Sequence, residues 1–184
     1  MNASSIALKE WAVLVDAVGQ GEQMLLLRKG GIADPAGPFH LKRREFFLYP
    51  TWEHQKEGFL RPEFRKRLQG SAPQAGTVPL QVYAGVAHQQ EVKDLSGLAK
   101  LRGYHLWSEE FIRQRQAYKP ELPTQVLVLR VYRLGKPVLQ PVRPEYAGCK
   151  SWVELGEEVS FEGAAPVMEN KRFIAALEEI VSKL

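Results

Sequence analysis

The sequence predicts a single α+β domain built on a mixed, mostly antiparallel sheet with flanking helices. Three observations lead there. Residues 23–29, 45–49, 78–86 and 126–132 have the aliphatic, β-branched and aromatic make-up of strands. Helix-start signals at Asp94 and Ser108, and an apolar stripe after Asn170, do not alternate regularly with those strands as a parallel fold requires. A chain of 184 residues with 45% apolar content can also bury a core of its own.

From the N-terminus, Leu8, Trp11, Leu14 or Val15, and Val18 recur at helical spacing, and Gly19 stands at a C-terminal cap position. Residues 5–18 therefore read as an amphipathic helix, against a competing hairpin that pairs 11–15 with 24–28. The strand at 126–132 is expected to be central, because both of its faces are apolar. Of the adjacent Phe46 and Phe47, at most one can face the core of a single sheet face. Pro141 and Pro144 break the chain after 138–140, and 150–155 add a short strand. Asp94 caps a short helix ending near Gly103; Ser108 caps another reaching about Tyr118, with Trp107 and Ile112 as its hydrophobic staple. Phe173, Ile174, Leu177, Ile180, Val181 and Leu184 share one stripe, making the segment from Asn170 a docking helix. The expected division within the one domain, 1–184, is a core unit over 1–155 and a C-terminal loop and helix over 156–184, with 30–38 and 69–77 as loops.

Several classes are disfavoured. No run approaches the roughly 18 apolar residues of a membrane span, and Lys9, Glu10 and Asp16 interrupt the N-terminal apolar run, which argues against a signal peptide. A single cysteine, Cys149, excludes an intramolecular disulfide and fits a reducing compartment, so a cytoplasmic location is expected. His40, His54, His88 and His105 show no close pairing, so no metal and no cofactor are expected. The formal charge is +4, but residues 28–70 hold ten Lys or Arg against five acids. Such a concentration either steers an anionic partner or forms a solvated face.

Arg28-Lys29-Gly30-Gly31 closes the apolar run from Met24 to Leu27 and places two cations and two flexible residues at a strand edge. That combination suits phosphate or carboxylate oxygens. It is not a nucleotide-hydrolase phosphate loop, which needs Gly-x-x-x-x-Gly-Lys-Ser/Thr. Phe47, Tyr49 and Trp107 are the aromatic candidates for stacking on a base, although a staple role also accounts for Trp107. Thr51 lies at the end of the second strand, followed by Glu53 and His54, where a carboxylate next to an imidazole offers polar recognition or acid–base chemistry. Glu91-Val92-Lys93 fits part of a metal-nuclease signature, but its aspartate would have to be Asp34, a loop residue. Cys149 beside Lys150 is either an activated thiol or a small buried hydrophobe. The expected partner is RNA, single-stranded DNA or an anionic nucleotide-like ligand. A phosphodiesterase, nuclease or small hydrolase using Glu53 and His54 is the alternative, and a protein-interaction module the third reading.

The strings Ala7-Leu8-Lys9-Glu10-Trp11, Leu27 to Ile32, Phe47 to Thr51 and Glu53-His54-Gln55 resemble the bacterial DUF1802 family. Tyr104 to Trp107, Leu129 to Tyr132 and Gly148 to Trp152 fit it as well. This resemblance spans nearly the whole chain and implies no established activity. The element order is also similar to ASCH members of the PUA-like superfamily, small β-barrels associated with RNA and modified nucleobases. Gly21, Gln23, Leu26 and Arg28 fall on the spacing of their Gly-x-Lys-x-x-Glu-x-Arg strand, and Ala84-Gly85-Val86 on a later one. The resemblance implies a PUA-like β-barrel that binds nucleic acid or a modified base. Gln23 and Leu26 replace that motif's lysine and glutamate, so it does not imply hydrolysis by that pair and leaves Arg28 as a binding residue.

Overall fold

A computed structural model describes residues 3–29, 39–69, 76–148 and 150–184. The strands are β1 (Ala3–Trp11), β2 (Leu25–Arg28), β3 (Glu45–Thr51), β4 (Thr77–Val92), β5 (Thr124–Pro141), β6 (Trp152–Ser160) and β7 (Ala165–Pro166). They form one sheet in the order β2-β5-β4-β3-β1-β6, with β7 beside β5. The pairing of β1 with β3 is parallel, and the other strand pairs are antiparallel. The helices are α1 (Ala12–Gly19), α2 (Glu109–Ala117) and α3 (Asn170–Lys183), with 3-10 segments at Glu57–Phe59, Pro62–Gln69, Leu95–Tyr104 and Pro144–Tyr146. No helix among the described residues is long and apolar enough to cross a membrane.

The α+β class holds, but the barrel does not: the sheet is open, and β2 and β6 are its ends. A barrel needs its end strands to pair along their length. Here β2 has four residues, and the chain beside it is already engaged, with Met24 N donating to Tyr104 O at 3.1 Å and Leu106 N to Gln23 Oε1 at 3.0 Å. The sheet nevertheless curls. One apolar cluster contains Leu8 of β1, Leu26 of β2, Phe46 and Leu48 of β3, Ala84 of β4 and Leu127 of β5. Register shifts between Leu80 and Val82 and between Val86 and His88 interrupt the long β4–β5 ladder, and bulges of this kind increase local bending and twist.

Both faces of the sheet are buried. Phe46 and Phe47 are each 0% exposed, Phe46 in the cluster inside the curl and Phe47 in a second one with Tyr83, Leu80 and Val153. As expected, no single sheet face takes both: each face has its own core, and the two rings enter different ones. A third cluster joins Leu25 and Leu27 of β2 and Val126 and Val128 of β5 to α2, α3 and Leu95–Tyr104.

The N-terminal helix expected over 5–18 forms only in its second half. Residues 3–11 are a strand because β3 and β6 flank them, which overrides their helical spacing. The competing hairpin is also absent, since β2 pairs with β5. The cap of α1 is two residues later than expected. Gly21, at φ 74°, occupies the left-handed position, with Gly21 N donating to Val18 O at 3.0 Å and Glu22 N to Ala17 O at 2.9 Å. Gly19 is required for another reason, because a Cβ there would lie 2.9 Å from Val82 Cγ2.

The other start signals work as expected. Asp94 accepts from Ser96 N at 2.9 Å and Ser108 from Phe111 N at 3.2 Å. Trp107 stacks on Phe111, with ring centroids 3.9 Å apart. β5 runs on through Pro141, opposite Thr77, instead of stopping at residue 132. The sheet continues past residue 155 through β6 and β7, and α3 buries Phe173, Ala176 and Ile180 while Ile174 and Val181 stay exposed.

Gln23 is fully buried, donating to Leu25 O at 2.8 Å while accepting from Leu106 N. Gln23→Leu would strand the Leu106 N–H, and unfolding in urea should show a loss of about 1–3 kcal/mol. His105 is also buried, and its imidazole is held below its ordinary value, first by burial and then by the Arg61 and Arg102 charges, against the opposing bond to Leu98 O. The unfolded chain therefore takes up this proton first as pH falls. The contribution is at full strength above about pH 6.5 and declines below it until the folded ring also protonates. Melting temperature measured from pH 7.5 to 5.0 should fall more steeply for the wild type than for His105→Gln.

Candidate functional site

Strands β1 and β2 share the interior of the curl, yet no backbone ladder joins them among the described residues. Arg28 spans the seam instead. Its Nη1 donates to Lys9 O at 3.2 Å and lies 3.3 Å from Glu10 Oε2, and its guanidinium sits 5.3 Å from the Phe39 ring centre. A cleft of about 250 Å³ opens at this seam, lined by Lys9, Glu10, Trp11, Leu27, Arg28, Lys29, Thr51, Glu53, His54, Arg115, Gly148, Lys150 and Ser151.

Arg28, Lys29, Thr51, Glu53 and His54, singled out from the sequence, thus meet in one place. The Thr51 hydroxyl donates to Glu10 O at 3.2 Å. Lys29 is buried and gives two hydrogen bonds to carbonyls at the end of α2, Gln116 O at 2.9 Å and Arg115 O at 3.3 Å. A cation suits a helix C-terminus, so Lys29 also fastens α2 to the cleft. Burial, with the Arg115 charge second, holds its ammonium below the usual lysine value. Arg115 is itself pushed down by burial and then by Arg28, with Glu10 opposing. It remains a cation, since arginine does not deprotonate in proteins.

Glu53 and His54 are exposed at the cleft's edge, directly after β3. His54 adopts φ 62°, a left-handed conformation that costs a side-chain-bearing residue about 1–2 kcal/mol. Among the described residues no hydrogen bond or ion pair between side chains holds either one, which leaves both groups open to a ligand.

Tyr49 and Trp107 are placed elsewhere. Tyr49 is buried edge-on to Tyr146, centroids 5.9 Å apart, and burial pushes its hydroxyl up from the ordinary value. Trp107 is buried between Phe111 and Trp11. With Phe47 also enclosed, the stacking expected of all three is corrected: their ring faces are occupied by protein. The aromatic side chain lining the cleft is Trp11, half-buried and stacked on Phe59 at 6.1 Å. Gly30 and Gly31 lie outside the described residues, as do Asp34 and Cys149. Glu91 accepts from Gln125 Nε2 at 2.7 Å and does not line the cleft.

The basic segment 28–70 does not form one face. Arg28 and Lys29 line the seam cleft, Arg43 and Arg44 a depression beside β1, and Arg61 and Arg65 a third cavity. The cleft draws its other cations, Lys9, Arg115 and Lys150, from outside that segment. Lys150 is exposed, with Nζ 3.2 Å from Glu145 O, and Lys9 donates to Tyr146 O and to Gly148 O. No group of acidic, histidine and cysteine side chains suited to a metal ion occurs among the described residues.

Fold and cleft together define a small mixed α+β protein with a cation-lined seam in an open, curled sheet. The chain belongs to the DUF1802 family, a domain of unknown function, whose model matches residues 7–179. A crystal structure of ASCH from Zymomonas mobilis is similar at 12% identity, covering 95% of this chain and 93% of that one with a TM-score of 0.42. A point mutant of that protein gives 14%, 96%, 94% and 0.42. Likeness of this degree carries over neither a site nor an activity. No curated protein matches the chain. Within the chain itself, Gln23 is a buried tie and Leu26 a core residue.

The seam and the turn should respond differently to substitution. Glu10→Ala leaves the largely buried Arg28 charge unpaired and is expected to cost about 2–4 kcal/mol in urea unfolding. His54→Gly relieves the left-handed strain while loosening the unfolded chain, so its stability should stay within about 1 kcal/mol of wild type.

Proposed function

We propose that the seam cleft binds the phosphate backbone of RNA or single-stranded DNA, or an anionic nucleotide-like ligand. One observation carries this reading: five cations from separate parts of the chain, Lys9, Arg28, Lys29, Arg115 and Lys150, line a cleft that offers only Glu10 and Glu53 in return. Gathering like charges costs free energy unless an anion is received there. Arg28 and Lys150 supply donors, Thr51 and His54 polar contacts, and Trp11 an aromatic edge. The volume of about 250 Å³ suits a phosphate with part of its sugar better than an enclosed nucleotide. A polymer that continues past the cleft fits that size.

A second reading, a phosphodiesterase or small hydrolase, is favoured by the position of Glu53 and His54 on the same cleft as the cations. A carboxylate and an imidazole beside a bound phosphate have the components for acid–base chemistry.

Fluorescence anisotropy with labelled oligonucleotides tests the binding. Affinity should fall linearly in log–log form with salt, and Lys150→Ala should flatten the slope by about 0.7 for a single strand. Binding that ignores salt, or a slope unchanged in Lys150→Ala and Arg115→Ala, would sink the proposal. Cleavage of the bound strand that is lost in Glu53→Gln and His54→Gly, with binding retained, would establish the second reading.

A further inference from the structure

Among the described residues, three buried side-chain atoms have no hydrogen-bond partner: Arg61 Nε, His105 Nδ1 and Trp107 Nε1. All three residues line one cavity of about 280 Å³, which shares no lining residue with the seam cleft. Buried polar groups are nearly always paired, so three orphans on residues that line one cavity call for an explanation. The residues themselves are well enclosed, His105 at 2% and Trp107 at 4% exposure.

Their chemistry specifies what is missing. His105 Nε2 lies 2.9 Å from Leu98 O, and a carbonyl only accepts, so the ring proton sits on Nε2 and Nδ1 offers a lone pair. Burial, and with it the Arg61 and Arg102 charges, favours the neutral ring against the opposing bond to Leu98 O. Trp107 Nε1 and Arg61 Nε are donors. Arg61 already uses Nη2 on His105 O at 3.0 Å and Nη1 on Glu63 at 3.3 Å, leaving Nε over. Arg65 and Arg102 add positive charge to the wall, and Glu109 and Glu110 reduce it, Glu110 being shared with Arg113 at 3.0 Å. Two free donors among three arginines ask for an oxyanion of low charge. The lone pair on His105 asks that it bring a proton.

We propose that this cavity is a second ligand site, for a protonated phosphate group, either inorganic phosphate or the end of a phosphate monoester. Arg61 Nε and Trp107 Nε1 donate to its oxygens, and its P–OH donates to His105 Nδ1. Each orphan atom exposes less than 1 Å², so seating the group requires a small outward shift of the wall. Selectivity follows from the acceptor. Sulfate has the same shape but no proton at this pH, and it would leave His105 Nδ1 facing an oxygen lone pair.

The test uses the full chain labelled with ¹⁵N and titrated at pH 6 with inorganic phosphate, methyl phosphate and sulfate at matched ionic strength. The four tryptophan indole N–H signals are the readout. Trp107 should move with phosphate, and sulfate should bind at least about tenfold more weakly. Arg102→Ala, at an exposed position that the fold tolerates, should weaken phosphate about tenfold, while Lys150→Ala on the seam cleft leaves it unchanged. Tighter binding of methyl phosphate than of inorganic phosphate would assign the site to a monoester, and the reverse to free phosphate. Equal affinity for sulfate and phosphate, or a Trp107 response abolished by Lys150→Ala and not by Arg102→Ala, would overturn the proposal. The anisotropy experiment on the seam cleft stands or falls separately.

Discussion

The ion pair between Arg28 and Glu10 joins two strands that backbone pairing does not, and the cleft exists because of it. A sheet that curls around one apolar interior must either close or leave an unpaired seam. Here β2 is too short to pair with β1, so a guanidinium reaches across to a carbonyl and a carboxylate. Side chains hold strands farther apart than a hydrogen-bond ladder does. The space left between them is the cleft of about 250 Å³, already lined by the groups that made the bridge.

This arrangement ties stability to the chemistry of the site. Lys29 holds the end of α2, Lys9 ties β1 to the Tyr146–Gly148 carbonyls, and Arg28 holds the seam, so three of the five cleft cations also bind the fold together. Arg115 and Lys150 carry less of that load, and their charges are correspondingly freer for a ligand. Arg115 is held below its ordinary value first by burial and second by the Arg28 charge, and the folded chain bears both costs. Glu10 relieves the charge repulsion at both ends, pairing with Arg28 and opposing the shift of Arg115.

The half of the site that was legible in the sequence is the local half. Arg28 and Lys29 announce themselves because an apolar strand stops at them, and Thr51, Glu53 and His54 because a second strand stops beside them. Lys9, Glu10 and Trp11 were hidden by a helical periodicity that is real for α1 and accidental for the residues before it; only β3 and β6, far away in sequence, make 3–11 a strand. The aromatic candidates misled for a related reason. Phe47 and Tyr49 alternate with core residues on a sheet buried on both faces, a condition that composition cannot reveal. Trp107 is stacked on Phe111, the neighbour of its expected staple partner Ile112, in the aromatic block beside α2. The expected barrel followed from element order, and element order says nothing about whether the end strands are long enough to meet.

Helix α2 touches both cavities, with Ser108 at its start on one and Arg115 near its end on the other. Ile112 lines the same cavity as Ser108, so only three residues of helix, a rise of about 4.5 Å, separate the two linings. Trp11, Phe59, Trp107 and Phe111 fill the region beside it, Trp11 lining the cleft and Trp107 the cavity. Contiguity of this kind does not by itself make the sites communicate. Coupling requires an element with two arrangements that each ligand weights differently. Helix α2 is held at one end by the Ser108 cap and at the other by Lys29, and it packs against the aromatic rings through Phe111. On that geometry the aromatic block lies between the seam cleft and the cavity, and the Lys29 hydrogen bonds hold the end of α2, with Arg115, at the seam.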